Sequence, residues 1–347
     1  MTTIPPATIA FVPRETVSQT LDCLDCLLEK TSRPYDLVVV VGGYPDDLTA
    51  AIRERVSRAG GHLIEFASHA TPNEARNAAL STARTRYIVF VDHDVFVSEG
   101  WLEPLVRCAE ETGATLVSPV VFEGSPRFAR LHMVGGVARV KPLPTGANEY
   151  VEIHDDAHRE LSAADLSSGP KQTELIEFHT ALVEIEWLRD IGGLDPDLHS
   201  LAEHWDICIT AARDGRTIYV EPESWVNYTP PKRLTRDDIR WFNVRWSNCW
   251  NSRSMHRLAE KYDLEPGWAR NTLIFLKGHR RHRFGPMRKR LSSLFGDQVG
   301  RLLAYKMIKP LVELLERPQL ERDLAKWKDA RKDRGRADPR ADQPTTL

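Results

Sequence analysis

The sequence predicts an α/β fold, with a mostly parallel sheet flanked by helices and a C-terminal all-helical extension. Three patterns indicate this class. Short apolar segments alternate with amphipathic helical segments from residue 8 onward. The apolar segments end at Pro, Gly or polar turns, which is typical of buried parallel strands. Beyond Pro230 and Pro231 only helical patterns occur.

The first third of the chain contains the clearest elements. Continuous apolar runs predict strands at residues 8–12, 37–41, 63–66, 87–91 and 115–117. Apolar residues at three- and four-residue spacing predict helices at 16–30, 48–59, 73–82 and 101–112. Residues 122–172 are crowded with Gly, Pro, His and acidic residues, so we expect an elaborated loop there. Regular patterns return as a strand at 182–185, a helix at 203–213 and a strand at 217–220.

Composition is typical of a globular enzyme. Of 347 residues, 41% are hydrophobic, and 47 Lys and Arg against 49 Asp and Glu give a formal net charge of −2, so we expect no nucleic-acid partner. The chain shows neither a leader pattern nor an apolar run long enough to span a bilayer, so we expect a cytoplasmic protein. Residues 329–347 are charged and nearly free of large apolar side chains, which predicts a disordered tail.

The sequence lacks several common catalytic motifs. It contains no GxGxxG, no GxxxxGKS/T, no HExxH and no GxSxG. The sequence therefore does not support a dinucleotide-binding site or a nucleotide-binding P-loop.

An acidic pair follows the most apolar strand. Residues 87–91 lead directly into Asp92, His93 and Asp94. Ligands bind at the carboxyl ends of strands in open α/β sheets, and two crowded carboxylates are costly unless a cation neutralises them. Mg²⁺ and Mn²⁺ prefer such ligands together with phosphate oxygens, which points to a nucleoside diphosphate derivative. The alternative is a solvated turn in which Asp94 caps the next segment.

Several segments around this pair resemble the family 2 glycosyltransferases of the GT-A type, a Rossmann-like α/β fold, over roughly residues 7–230. The resemblance implies transfer of a sugar from a UDP- or GDP-linked donor to an acceptor hydroxyl, with inversion. The matching segments keep the family's order along the chain, and they are Val12-Pro13-Arg14-Glu15, Asn73 to Leu80 with its Ala-Arg-Asn sequence, Val91 to Asp94, Gly100-Trp101-Leu102, Ile191 to Asp195, and Glu203 to Cys208.

The resemblance also implies roles for individual residues. Asp92 and Asp94 would bind Mn²⁺ or Mg²⁺ on the donor diphosphate and so stabilise its departing charge. The residues that would contact the donor are Pro13, Glu15, Gly42, Arg76, Asn77 and Asp92. For Arg76 a surface ion pair is an equally good explanation, and the glycine at 42 suits either a close nucleotide or a plain turn. The family's late histidine ligand is replaced by Val226-Asn227-Tyr228, so the cation would depend on Asp94 and phosphate or bind weakly.

The acceptor hydroxyl needs a base, and the segment at 203–206 offers three candidates. The family usually has Asp where this chain has His204. Imidazole titrates near neutral pH, so His204 could be the base, with Glu203 or Asp206 orienting it. Alternatively Glu203 or Asp206 is the base and His204 contacts acceptor or phosphate. Glu203 would also suit the start of a helix through its favourable interaction with the helix dipole.

The resemblance suggests how the chain is divided. We expect residues 1–121 to form the nucleotide-sugar-binding half and 122–230 the acceptor half of one domain, with 231–328 as a helical region. The acceptor, whether a sugar, a lipid-linked molecule or another small molecule, would lie over residues 122–180, which include His132 and His179.

Basic residues crowd 277–283 and 288–290 and precede an amphipathic run at 302–315. A solvated helical face explains them most simply, and the alternative is peripheral contact with the inner face of a membrane. A homo-oligomer is also left open.

Two rival functions stand beside sugar transfer. One is a non-catalytic member that binds nucleotide-sugar or glycan, which His204 and the missing late histidine would suit. The other is a sugar-phosphate nucleotidyltransferase, which would need a glycine-rich, lysine-bearing N-terminal loop that the sequence does not show.

Overall fold

The architecture confirms the predicted class. The computed structural model describes residues 7–32, 34–125, 127–160, 169–231 and 233–337, and in it a mostly parallel sheet is flanked by helices and followed by a helical region. The described strands are β1 Ala7–Val12, β2 Tyr35–Gly42, β3 His62–Phe66, β4 Tyr87–Asp92, β5 Val95–Val97, β6 Leu116–Glu123, β7 Arg130–Met133, β8 Gly136–Pro142, β9 Asn148–His154, β10 Lys171–Thr173, β11 Thr180–Glu184 and β12 Ile218–Tyr228.

The helices alternate with the strands as far as β12 and then continue alone. The described α-helices are α1 Thr20–Lys30, α2 Asp46–Arg58, α3 Pro72–Thr82, α4 Leu102–Thr112, α5 Ile185–Asp190, α6 Glu203–Arg213, α7 Arg236–Arg245, α8 Asn248–Tyr262, α9 Trp268–Leu276, α10 Gly285–Phe295, α11 Asp297–Leu302 and α12 Lys309–Ala337. A 3₁₀ segment spans His279–Phe284, and a π-helical segment, Leu303–Ile308, joins α11 to α12. Among the described helices, none is both long and apolar enough to cross a bilayer.

The main sheet has the strand order β10-β12-β6-β11-β4-β1-β2-β3. Strands β1 to β4 are parallel, whereas β11 runs antiparallel between β4 and β6. Thr180 of β11 pairs with Val91 of β4, so the start of β11 lies beside the end of β4. Residues that immediately precede β11 are therefore placed at the edge of the sheet where a ligand is expected.

The core lies on both faces of this sheet because successive side chains of a strand point to opposite sides. In β4, Ile88 and Phe90 pack with α3, α5 and α6 on one face. Tyr87, Val89 and Val91 pack with α1, α2 and α4 on the other. Both faces are covered, which explains why the strand is apolar throughout its buried length.

Two sequence expectations need correction. Residues 122–172 are not one elaborated loop, since β7, the hairpin β8 and β9, and β10 lie within them. The hairpin strands are half exposed, so polar residues alternate with apolar ones and conceal the strand pattern.

The predicted disordered tail at 329–347 is also wrong in part. Residues 329–337 continue α12, while 338–347 lie outside the described residues. The helix persists because Trp327 is buried against Trp250, and Arg331 pairs with Asp197 at 2.9 Å.

The helical region is attached to the sheet domain through Asp238 of α7. Its Oδ1 accepts hydrogen bonds from the backbone N–H of Val17 (2.8 Å) and Ser18 (2.9 Å), and its Oδ2 accepts from the backbone N–H of Thr235 (2.8 Å). Burial would raise the pKa of Asp238, but these hydrogen bonds outweigh it and lower the pKa.

We predict that Asp238→Ala lowers the free energy of unfolding by about 3 kcal/mol, because it leaves several backbone donors unsatisfied. Urea denaturation followed by tryptophan fluorescence measures this. The control is Asp237→Ala, whose side chain only faces Arg240 at 3.9 Å and should change stability by less than about 0.5 kcal/mol. Equal losses in the two variants would contradict the assignment.

Candidate active site

The acidic pair lies at the carboxyl end of β4, as predicted. Asp92 is fully buried and Asp94 is 1% exposed. His93 between them contacts the ring of Phe11, with a centroid distance of 4.2 Å, and its Nδ1 is 2.5 Å from the hydroxyl of Tyr44. His93 therefore belongs to the core, and the two carboxylates remain for the site.

Asp92 is neutralised by two buried arginines. Arg76 Nη2 lies 2.9 Å from Asp92 Oδ1, and Arg14 Nε lies 3.3 Å from Asp92 Oδ2. Burial alone would raise the pKa of Asp92, but the two positive charges outweigh it and lower the pKa. Arg76 is fully buried, so the alternative prediction of a surface ion pair is wrong. Its guanidinium contacts Asp92 in the protein interior.

Glu203, the first residue of α6, is bound by the same two arginines. It pairs with Arg14, and Arg76 Nη1 lies 3.7 Å from its carboxylate. Burial would raise the pKa of Glu203, but Arg14, Arg245 and Arg76 lower it well below its ordinary value. A carboxylate held so firmly in its charged form is a weak base. We refer to Arg14, Arg76, Asp92 and Glu203 as the ion-pair cluster.

Asp94 differs from its neighbour. Within the described part of the chain neither of its carboxylate oxygens has a hydrogen-bond partner. Burial raises its pKa well above the ordinary value, and the charges of Asp92 and Glu15 raise it further. An unpaired buried carboxylate is costly, and a bound cation would remove that cost. The residues here therefore fit a divalent ion.

His179 supplies a third ligand atom that the sequence did not indicate. One ligand atom each from Asp92, Asp94 and His179 lie within 4.8 Å of one another. The backbone carbonyl of His179 accepts a hydrogen bond from the N–H of Asp92 (3.0 Å), and its ring stacks on Tyr228 at 4.5 Å. The sequence signal was its position just before the strand that pairs with β4. A histidine thus stands near the acidic pair although the family's late histidine is absent.

A second polar group lies next to His179 and contains His204. The Nε2 atom of His204 is 3.7 Å from Glu177 Oε1, and His132 Nε2 is also 3.7 Å from that oxygen. The Nδ1 atom of His204 is buried and has no hydrogen-bond partner in the described residues. The residue opposite His204 is therefore Glu177, rather than Glu203 or Asp206 as expected.

His132 is held between two carboxylates. Its Nδ1 is 3.2 Å from Glu123 Oε2, and its Nε2 faces Glu177. Burial would lower the pKa of His132, but hydrogen bonds to Glu123 and Glu177 raise it to about 9. His132, Glu177 and His179 also have the spacing of a metal site, although a protonated His132 opposes a cation there.

Two predicted site residues make contacts away from the acidic pair. Asp206 pairs with Lys261 at 2.7 Å and accepts a hydrogen bond from Tyr262 Oη at 2.8 Å, so its carboxylate connects α6 to α8. Asn77 donates to the carbonyl of Leu194 (2.7 Å) and accepts from its N–H (2.9 Å), which fixes the turn before α6. The structure therefore does not bring Asp206 or Asn77 together with the acidic pair.

The remaining donor candidates lie near the same edge of the sheet. Pro13 is buried directly before Arg14, and Glu15 accepts a hydrogen bond from Trp246 Nε1 at 2.8 Å. Gly42 ends β2, and a Cβ there would lie 2.6 Å from the carbonyl oxygen of Ser68. Packing within the protein therefore requires a glycine at position 42, independently of any nucleotide.

Arg245, at the end of α7, is a site residue that the sequence did not indicate. It is 3% exposed, and its Nε and Nη1 atoms have no hydrogen-bond partner in the described residues. Burial lowers its pKa, whereas Glu203, Glu15 and Asp92 raise it. A buried guanidinium with unpaired donors is suited to an anionic ligand.

Comparisons with known proteins concern the family and the fold. Residues 15–158 match the profile of a family described as "Glycosyl transferase family 2". Relatives named "Pre-mycofactocin glycosyltransferase", from two strains of Mycobacterium tuberculosis, are 28% identical over 185 residues, which is 51% of this chain and 35% of theirs. "Uncharacterized glycosyltransferase EpsJ" from Bacillus subtilis is 27% identical over 113 residues, which is 32% of this chain and 33% of its own. The chain thus spans only about a third of the length of the curated relatives it matches.

A solved structure shows the same fold. "Crystal structure of GalNAc-T7 with UDP, GalNAc and Mn2+" is similar with a TM-score of 0.51 and 17% identity, over 81% of this chain and 55% of that one. At this identity the similarity concerns the fold alone, and it confirms the predicted GT-A type.

We predict that His132 stabilises the fold in a pH-dependent way. Its pKa is raised from 6.5 to about 9, so its ion pairs contribute fully below pH 6.5 and are lost as the pH rises through 9. The difference in Tm between the protein and His132→Gln should therefore fall by roughly half or more between pH 6 and pH 9.5. His62→Gln, at an exposed histidine on β3, is the control and should show no such trend. A Tm difference independent of pH would contradict the charged state.

Proposed function

We propose that the chain transfers a sugar from a nucleoside diphosphate donor to an acceptor hydroxyl, assisted by a divalent cation, since residues 15–158 match the profile described as "Glycosyl transferase family 2". The observation that best supports this is the buried, unpaired carboxylate of Asp94 beside Asp92 and His179. A structural ion pair would have given Asp94 a partner, as it does for Asp92.

Asp94 and His179 would bind the cation, with Asp92 alongside. Carboxylate and imidazole ligands together suit Mn²⁺, whereas Mg²⁺ prefers oxygen alone. When bound, the ion would supply positive charge that stabilises the departing diphosphate. Asp92 would contribute less than Asp94, because both of its oxygens already face arginines.

Arg245 would provide the second positive charge for the diphosphate. Arg14 and Arg76 already face Asp92 and Glu203, whereas Arg245 makes no ion pair among the described residues and its Nε and Nη1 atoms have no hydrogen-bond partner there. Such fixed donors need no reorganisation when negative charge develops on a leaving group. This proposal assigns donor binding jointly to the sheet domain and to α7.

His204 is the base in this proposal, and Glu177 positions it. Glu177 Oε1, 3.7 Å from Nε2, would favour a proton on that nitrogen through its charge, and the buried, unpartnered Nδ1 would take the proton of an acceptor hydroxyl that reached it. A carboxylate next to a catalytic imidazole favours one tautomer and stabilises the imidazolium that forms. Deprotonation of the acceptor by one base suits direct displacement, which inverts the anomeric carbon.

We predict that Mn²⁺ strengthens nucleotide binding through Asp94. With Mn²⁺ and UDP or GDP at about 100 times the dissociation constant, thermal-shift assays should show stabilisation of about 2.7 kcal/mol. Asp94→Asn should lose the Mn²⁺-dependent part of this shift. Asp190→Asn, at an exposed residue at the end of α5, should retain it. Nucleotide binding that ignores Mn²⁺, or that survives Asp94→Asn unchanged, would rule out the metal assignment.

A separate prediction concerns the base. His204→Ala should reduce kcat for donor hydrolysis or transfer by about 10²–10⁴-fold, because proton transfer in the transition state is lost. Glu177→Gln should reduce kcat less, and the Kd for UDP or GDP should be unchanged in both variants. Release of nucleoside diphosphate from a panel of UDP- and GDP-sugars provides the measurement. His256→Ala, at an exposed histidine on α8, serves as the control. Unaltered turnover in His204→Ala would remove His204 from this role.

A further inference from the structure

Residues 277–309, here called the basic segment, have an unusual charge. They contain ten Lys and Arg residues and a single acidic residue, Asp297, within a chain whose formal net charge is −2. Asp297 pairs with Arg288 (3.2 Å) and Arg301 (2.9 Å). Arg283 and Lys309 pair with Glu316 and Glu313 of α12, and the other six basic residues have no ion-pair partner within the described residues.

The same segment exposes large apolar side chains. The exposed fractions range from 45% to 73% for Leu294, Phe295, Val299, Leu302 and Met307. Helix α10 has no buried residue, and the residues buried in α11 and the π-helical segment are small, Gly300 and Ala304. These helices contact one another without burying their larger apolar side chains. A patch of exposed apolar side chains indicates an interaction surface.

A basic depression lies within the segment. It has a volume of about 830 Å³ and is lined by Arg281, Arg288, Lys289, Arg301 and Tyr305, with Gly285 and Pro286. Arg281 and Lys289 have no ion-pair partner within the described residues. Such a depression presents positive charge to a phosphate-bearing head group and is large enough to admit one.

We propose that the basic segment binds the surface of an anionic lipid bilayer. The exposed apolar side chains would enter the boundary between head groups and acyl chains, and the basic depression would take an anionic head group. Other occupants fit less well. Nucleic acid would leave Leu294 and Phe295 exposed, and a second copy of the chain would bring two strongly basic surfaces together. This inference does not depend on sugar transfer.

Vesicle co-sedimentation with the full chain tests the proposal. The protein should bind vesicles of phosphatidylcholine with about 30% phosphatidylglycerol and bind pure phosphatidylcholine at least roughly 10-fold more weakly. Binding should also fall as the salt concentration rises, because screening weakens attraction between exposed charges.

Two pairs of variants separate charge from apolar insertion. Arg281→Glu with Lys289→Glu should weaken binding by roughly 30-fold or more, since each basic residue near the surface contributes about a fivefold factor. Leu294→Ser with Phe295→Ser should weaken it by roughly 10-fold. The matched controls, Lys141→Glu and Ile153→Ser, change exposed residues of β8 and β9 and should leave vesicle binding intact. Thermal melting confirms that every variant is folded.

Three results would overturn the proposal. Equal binding to neutral and anionic vesicles would show that attraction between the basic residues and anionic head groups does not contribute to binding. Full retention of vesicle binding by the Leu294 and Phe295 variant would show that these apolar side chains do not enter the bilayer. Equal losses in the control variants would show that the basic segment has no special role. UDP or GDP binding by the same samples is measured separately, so a failure here is distinguishable from a failure of the proposed sugar transfer.

Discussion

The arrangement of two arginines between two carboxylates constrains the rest of the site. Arg14 follows β1, Arg76 lies on α3, Asp92 ends β4 and Glu203 begins α6, so the ion-pair cluster joins four separate elements. Buried charges are tolerated only when they are paired, and removing one would leave its partners uncompensated. The cluster therefore fixes where α6 begins relative to the end of β4. That in turn places His204, the next residue, beside the segment that carries Glu177.

Asp92 and Asp94 carry the same side chain, but their surroundings shift its pKa in opposite directions. The pKa of Asp92 is lowered because arginines face both of its oxygens, while the pKa of Asp94 is raised because burial and neighbouring acids oppose its charge. An Asp-x-Asp pattern suggests two equivalent ligands. In the structure one carboxylate is paired with arginines, and the other has no hydrogen-bond partner among the described residues.

Much of the fold could be predicted from the sequence, and less of the site. The parallel strands were visible because both of their faces are buried, which leaves continuous apolar runs. The hairpin of β8 and β9 was missed because half-exposed strands mix polar and apolar residues. Asp92, Asp94 and His204 were found because each follows a recognisable local pattern. His179 was predicted only on the acceptor side, and Glu177 and Arg245 were not predicted, because antiparallel insertion of β11 and docking of α7 bring these residues to the candidate site and neither event has a local signature.

The insertion of β11 has a further consequence for how the molecule can diversify. Pairing of β11 with β4 involves main-chain hydrogen bonds of the main sheet, whereas β8 and β9 form a separate two-stranded sheet that is joined to the helical region by a bridge from Asn148 to Leu264. Replacement of that hairpin would leave the main-chain pairing next to Asp92 intact. The hairpin can therefore change in length or sequence without altering the backbone register beside Asp92.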